Sequence, residues 1–439
     1  MKKTITIALT LITLAINAQE TLTLEKAVSL TLEKNYNIKI SENNEQVAKN
    51  NTGILNSGYL PNISTNAYGK YDIKNVYALL NNDFEAKLDD INTVNYNANI
   101  KLDYLVFNGF GRMYSAKMFK EQHNLSKLQT KFVIENAVSK VMTQYYTISQ
   151  QYESIENAKK SLAISKKRKT RTQYGFDYGQ NSKLDILNAQ VDYNNDSIKI
   201  KNLELQLGNA KRTMNELMGV NIDYDFVTET DLTFDATLNE EDLLRNSLEN
   251  NTGLQQAEKN ILIDKFAVKA AKTGWAPKVN LTGMYYFNNL NNDSDGGFGS
   301  TVAINYSNTH GPLAQISLSW NFFDGGKYIN RIQNAKIQTE NIAQQYDASK
   351  LTVEKNLKNT WYSYKNALEI IKIQEQNLAT NQENFKRTEE KFKVGHLNSI
   401  FYRQAQLNLL NAENQLNIAK FNAKIMELNL LLLSGGLVE

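Results

Sequence analysis

The chain has 439 residues, 41% of them hydrophobic and 22% charged, with a formal net charge of +3. Beyond the first 16 residues no run approaches the ~20 apolar residues of a membrane-spanning helix, and 49 basic against 46 acidic side chains give no bias towards nucleic acid. Cysteine is absent, which excludes disulfides, thiolate metal centres, thiol catalysis and a lipidated N-terminal cysteine.

The N-terminus carries the first specific signal. Lys2 and Lys3 precede an apolar stretch from Thr4 to Ile16, and Ala18 offers a small residue at a cleavage point before Gln19. This order predicts a secretory signal peptide over residues 1–18. The remainder reads as one unit written twice. Gly58-Tyr59-Leu60-Pro61 recurs as Gly274-Trp275-Ala276-Pro277, 216 residues later. The same offset carries Asn35 to Asn251, Phe107-Asn108-Gly109 to Phe323-Asp324-Gly325, Tyr145-Tyr146 to Trp361-Tyr362, Gly179 to Gly395 and Leu217 to Leu433. A constant spacing of this kind predicts a tandem duplication: a first repeat over 19–221, an acidic connector over 222–242 and a second repeat over 243–439.

Each copy is expected to open with a helix, Leu24 to about Asn56 and Leu243 to about Thr273, ending at the Gly-aromatic-x-Pro junction. Proline cannot continue a helix and favours an extended residue before it, so Pro61 and Pro277 mark strand starts. Alternation then switches to period two. Ile63, Thr65, Ala67 and Tyr71 share one face against Asn62, Ser64, Asn66 and Lys70, and the returning segment sets Tyr96, Ala98, Ile100, Leu102 and Tyr104 against Asn97, Asn99, Lys101 and Asp103. The second copy repeats this with Val279, Leu281, Tyr285, Phe287, Ile316 and Leu318. Strands of about ten residues with one apolar and one polar face match transmembrane barrel strands. The Asn- and Asp-rich segments Asp72–Thr93 and Asn288–His310 are expected to be external loops.

Gly109 and Gly325 close each strand pair with an Asx-Gly turn. Behind the first lie some 60 residues without proline or glycine. There Ile134, Val138, Val141, Tyr145, Ile148, Tyr152 and Ile155 follow the 3.5-residue period of a coiled coil. At 1.5 Å per residue this predicts a rod of about 90 Å. Val353, Leu357, Trp361, Tyr364, Leu368 and Ile371 repeat the stripe. Glycine turns at Gly179 and Gly395 reverse the chain into return helices ending near Met218 and Leu433.

Four strands cannot close a barrel, and an open sheet edge is intolerable in lipid, so closure requires several chains; three would supply twelve strands. The order of these elements, written twice, resembles the TolC-like outer-membrane efflux factor family over essentially the whole mature chain. The resemblance implies an α+β protomer of a homotrimer, with a 12-stranded barrel in the outer membrane of a Gram-negative bacterium continued by a helical coiled-coil tunnel in the periplasm. It implies a channel for efflux or secretion that works with a periplasmic adaptor protein and an inner-membrane transporter, without cofactor or nucleic acid. It also implies adaptor contact at the tips, matched here by Tyr178, Gly179 and Ser182 in the first copy and Val394, Gly395, Leu397 and Asn398 in the second.

Near those tips the first copy is basic (Lys166, Lys167, Arg168, Lys169, Arg171), while the second carries Glu383, Glu389 and Glu390. Cross-helix pairs among Lys167, Arg171, Glu389 and Glu390 are the candidate periplasmic gate. Phosphate-binding, metalloprotease and serine-hydrolase motifs are missing, which argues against an enzyme. A secreted or surface coiled-coil adhesion protein is the alternative, although it leaves the twice-written strand pairs without a role.

Overall fold

The computed structural model describes residues 21–80, 84–293 and 306–437. The expected signal peptide lies outside them. The first copy runs β1 (Thr21–Leu22), α1 (Leu24–Lys34), α2 (Tyr36–Asn51), β2 (Asn62–Leu80), β3 (Phe84–Phe107), α3 (Gly111–Asp177) and α4 (Lys183–Met218). A connector containing β4 (Val227–Thr228) leads to α5 (Glu240–Asn250), α6 (Thr252–Lys272), β5 (Lys278–Asp293), β6 (Tyr306–Ser319), α7 (Lys327–Lys393) and α8 (Ser399–Ser434). The long helices α3 and α7 have 67 residues each, and the return helices α4 and α8 have 36 each. Both pairs start and stop 216 residues apart.

The opening helix of each copy is broken where a continuous one was expected, and the cause is a single asparagine. Asn35 ends α1, its Oδ1 accepts from Asn37 N and Ile38 N at the start of α2, and its Nδ2 donates to the Leu217 carbonyl at 2.7 Å. Asn251 stands in the same place, accepting from Leu254 N at 3.2 Å and donating to the Leu433 carbonyl at 3.2 Å. An Asx side chain that caps one helix while satisfying the last turn of another competes directly with helix continuation. Gly219 and Gly435 complete the joint. Each is left-handed (φ +69° and +73°), and a Cβ would stand 2.5 Å from the Lys34 carbonyl oxygen or 2.6 Å from that of Asn250.

The described residues divide into two compact units. One holds the chain up to Glu45, Ser126–Glu258 and the chain from Gln345. Its core gathers Leu22, Val141, Tyr145, Ile148, Met214, Met218, Phe226, Phe421 and Leu428. Val138, Val141, Tyr145, Ile148 and Ile155 of the expected stripe are all buried. Short β1 pairs in parallel with β4, and the Tyr145 hydroxyl ties the two together, donating to Leu22 O and accepting from Glu229 N.

The other unit, Gln46–Leu125 and Lys259–Gln344, holds a four-stranded antiparallel sheet in the order β2-β3-β5-β6. Pro61 and Pro277 directly precede β2 and β5. Gly109 and Gly325 are left-handed at the exits from the strand pairs, and a Cβ on Gly109 would meet that of Ala276 at 2.3 Å. Cross-strand rows separate the chemistry cleanly. Thr65, Ile100, Tyr285 and Pro312 lie opposite one another, as do Ile63, Leu102, Gly283 and Ala314; the alternate rows hold Asn62, Asp103, Thr282, Gln315 and Asn66, Asn99, Tyr286, Gly311. Ile63, Tyr71, Ile73, Ile100, Tyr285, Ile316 and Leu318 are exposed, so the apolar face is bare. Among the described residues β2 and β6 each have one neighbour only.

The expected loops shrink accordingly. Asp72–Leu80 pairs with Phe84–Thr93, and Asn288–Asn291 pairs with Tyr306–Thr309; residues 81–83 and 294–305 lie outside the described residues. Antiparallel pairing satisfies the backbone whatever the polarity of the side chains, so Asn and Asp composition alone does not make a loop.

Because the Asn35 joint satisfies three backbone groups, Asn35→Ala is expected to cost about 1–3 kcal/mol and to lower the thermal midpoint followed by far-ultraviolet circular dichroism. Asn37→Ala, an exposed neighbour whose own side chain bonds to nothing described, is expected to leave it unchanged.

Candidate functional site at the paired hairpin tips

Both hairpins turn by the same chemistry. At the first tip, Gly179 (φ +75°) lets Gln180 N and Asn181 N return to the Gly175 carbonyl, closing α3. Ser182 then caps α4: its hydroxyl accepts from Asp185 N while Asp185 Oδ2 accepts from Ser182 N at 2.9 Å, a reciprocal capping box. The Ser182 hydroxyl and backbone N–H together hold the Asp185 carboxyl below its ordinary range. At the second tip, Gly395 (φ +77°) is left-handed, His396 N returns to Lys391 O at 2.9 Å, and Asn398 Oδ1 caps α8 by accepting from Ile400 N and Phe401 N, both at 3.1 Å. Capping by Asn in one copy and Ser in the other accounts for the differing residues there, since both supply a side-chain oxygen.

The tips face one another across an open cleft of about 870 Å³, walled by Arg171, Tyr174, Tyr178, Phe392, Leu397 and Asn398. Val394 and Gly395 also line it; Tyr178 is 81% and Val394 65% exposed. Apolar side chains so bare at a turn are available to another protein.

Below the cleft, charge binds the hairpins. Arg403 of α8 holds Asp196 of α4 with two parallel bonds of 2.7 Å, and its Nη1 reaches Ser165 Oγ of α3 at 3.1 Å. Ser165 also donates to Asp196. Arg168, 3% exposed, pairs with Asp192 of α4 and donates to the Ser399 carbonyl and hydroxyl at 3.2 Å. Gln406 Nε2 donates to Ser161 O, Ser161 Oγ and Ser165 Oγ. Two arginines and two aspartates from three helices thus form a charge-balanced, largely buried cluster joining the first hairpin to α8. Burial alone would raise the Asp196 pKa, but the Arg403 and Ser165 hydrogen bonds and both arginine charges outweigh it and hold the carboxyl below its ordinary range.

The sequence-predicted gate residues behave differently from one another. Arg171 does cross between hairpins, donating from Nη2 to the Lys393 carbonyl at 2.5 Å with its guanidinium 5.5 Å from the Phe392 ring centre. Among the described residues it forms no ion pair with a carboxylate. Glu389 pairs within its own helix with Lys393 at 3.2 Å, and after burial its charge helps push the neighbouring Tyr402 hydroxyl up to about 12. Lys167 and Glu390 are exposed and reach no side chain of the other hairpin among the described residues. The cross-hairpin ion pairs come instead from Asp192, Asp196 and Arg403, which the sequence reading passed over. One signal marks them: 216 residues away they face Asn408, Ala412 and Leu187, so each is a charge present in one copy and missing from the other.

A family model described as outer membrane efflux protein matches residues 27–220 and 243–436. Relatives include a probable efflux pump outer membrane protein, TtgC, and an antibiotic efflux pump outer membrane protein, ArpC, both of Pseudomonas putida. Each is 20% identical over 347 residues, covering 78% of this chain and 70% of its own length. Among solved structures, the Campylobacter jejuni CmeC outer membrane channel superposes with a TM-score of 0.76 at 15% identity, over 95% of this chain and 86% of CmeC. The outer membrane protein VceC of Vibrio cholerae gives 0.71 at 12% identity, over 94% and 97%.

A depressed folded-state pKa means that Asp196 stabilises the tip region above the unfolded carboxylate range, near pH 4, and loses that contribution as pH falls through its lower folded value. Amide protection factors around Asp196 and Arg403, that is, exchange corrected for the intrinsic pH dependence of amide exchange, are therefore expected to be high at neutral pH and to fall on acidification below about pH 4. In Asp196→Asn the protection factors are expected to be low throughout, since one partner of a buried pair has been lost, at about 3–5 kcal/mol.

Proposed function

This chain belongs to the outer membrane efflux protein family, a family of channel components rather than enzymes, and we propose that it works as a homotrimer whose helical hairpins dock a periplasmic adaptor coupled to an inner-membrane transporter. That it is an outer-membrane efflux channel follows from the family and from the agreement of its fold with outer membrane channels. One observation carries the trimer: a four-stranded sheet bare on its apolar face and unpaired at β2 and β6. In hydrocarbon each unpaired backbone group costs several kcal/mol, so the edges must be met by further strands. Three copies give twelve, an even number within the range of such barrels. The rows of Asn62, Asp103, Thr282 and Gln315 then face the lumen and those of Ile63, Ile100, Tyr285 and Ile316 face lipid.

The adaptor reading rests on the tips. Tyr178, Val394 and Leu397 offer apolar area, Gly179 and Gly395 permit the reversal, and Ser182 and Asn398 fix where each return helix starts. The gate reading passes from Glu389 and Glu390 to the buried cluster. Opening the entrance requires the hairpins to part, and Arg403 with Asp196, Arg168 with Ser399, and Arg171 with the Lys393 carbonyl are the contacts that oppose it. Lys167 and Glu390 bear on the gate only through surface charge, worth under ~1 kcal/mol.

Outer-membrane fractionation followed by electrophoresis with and without heating tests the assembly: a heat-modifiable trimer in the outer membrane is expected, and a soluble or monomeric product contradicts it. In planar bilayers Arg403→Gln is expected to raise closed-state conductance several-fold and Arg171→Ala to raise it less. Glu390→Gln is expected to leave it unchanged.

A further inference from the structure

The two strand–helix junctions began as copies, and they have diverged. In the first, Arg112 occupies the junction. Its guanidinium lies 4.7 Å from the Tyr59 ring centre and 5.9 Å from that of Tyr104, and its nitrogens donate to the Gly58 and Val106 carbonyls, both at 2.9 Å. At the matching position of the second copy stands Tyr328, whose hydroxyl donates to the Lys272 carbonyl at 2.8 Å. Tyr59 and Tyr104 are matched by Trp275 and Trp320, which meet edge to face at 5.9 Å with Trp320 Nε1 donating to Trp275 O at 3.0 Å.

Among the described residues no cation lies over the Trp275 or Trp320 ring as Arg112 lies over Tyr59 and Tyr104. A slot of about 390 Å³ is left instead, walled by Trp275, Phe322, Phe323, Tyr328 and Ile329. Phe322 and Phe323 are 74% and 75% exposed. Two cations of the first turns of α7 have no counterparts in the first copy, where Gly111 and Ser115 occupy the matching places. Arg331 Nη1 lies 3.7 Å from where a Cβ on the lining residue Gly274 would be, and Lys327 is the chain neighbour of the lining residues Gly326 and Tyr328. Both are exposed, and neither has a hydrogen bond or ion pair among the described residues. Asp324 is the one carboxylate on the slot wall, so the local balance is one positive charge.

We infer that this slot binds an anionic phospholipid of the periplasmic leaflet, one acyl chain against Trp275, Phe322 and Ile329 and its phosphate at Arg331 and Lys327. The inference rests on the barrel reading, which puts the strand–helix junction at the periplasmic boundary of the membrane. An apolar slot beside unpaired cations at that depth suits an amphiphile with a negative head, and guanidinium groups favour phosphate oxygens. At the matching rings of the first copy lies the Arg112 guanidinium instead.

The test uses the purified full-length trimer, delipidated in detergent, reloaded with dioleoylphosphatidylglycerol or dioleoylphosphatidylcholine, and read by native mass spectrometry. The wild type is expected to retain phosphatidylglycerol over phosphatidylcholine by about fivefold or more, the effect of a single basic residue at an anionic lipid surface. Arg331→Gln with Lys327→Gln is expected to abolish that preference while trimers persist, and Phe322→Ala to weaken both lipids alike. Equal retention by the wild type, or a preference that survives the double substitution, overturns the site. Failure of the barrel reading is separately visible, as a chain that yields no trimer before any lipid is added.

Discussion

Backbone polar groups in hydrocarbon have no water to bond with, and everything distinctive about this chain follows from that constraint. The sheet hides no core: one face is apolar and bare, the other is lined with asparagine, threonine and a few charges, and both outer strands lack a second neighbour. Such a sheet is unstable alone in water and in lipid alike. It becomes stable when lipid covers the apolar face and other copies complete the ladder. The helical residues live under the opposite rule, with heptad stripes buried against one another and polar faces in water, which is why the average composition looks like that of an ordinary polar protein.

Duplication explains the economy of the design, and the two copies have diverged in the charges they carry. Features that hold the fold recur at both positions: the Asn35 and Asn251 joints, the Gly219 and Gly435 caps, the left-handed glycines at the tips, and helices of matching length. Several charged side chains occur in one copy only. Asp192, Asp196 and Arg403 have neutral counterparts, so the tip cluster joins unlike hairpins and not equivalent ones. Arg112 has a tyrosine counterpart, so one pair of junction rings holds a guanidinium and the other pair meets edge to face.

Much of the fold was legible because it rests on periodicity. The parity of Ile63, Tyr71, Ile100, Tyr285 and Leu318 put them on one face before any coordinates did, and the 3.5-residue spacing from Ile134 to Ile155 located the helical core. What escaped the sequence depends on contacts distant along the chain. The break at Asn35 exists because Leu217 presents a carbonyl 182 residues away. Asp72–Leu80 and Phe84–Thr93 read as loop by composition, yet each supplies the other's ladder. At the tips, the runs of lysine and glutamate drew notice as opposite charges. Glu389 finds Lys393 one turn along its own helix, however, and the ion pairs across hairpins fall to Arg403 and Asp196, separated by 207 residues.

The central claim is that the sheet stands in the membrane with its Ile63 face to lipid and its Asn62 face to a lumen. The absence of native cysteine makes a clean experiment possible, in which single cysteines placed along β2 in intact cells are challenged with a membrane-impermeant maleimide. The account predicts alternation, with Ser64→Cys and Asn66→Cys labelled through the lumen and Thr65→Cys and Ala67→Cys protected by lipid. Uniform labelling of all four positions, or the reverse parity, would contradict it.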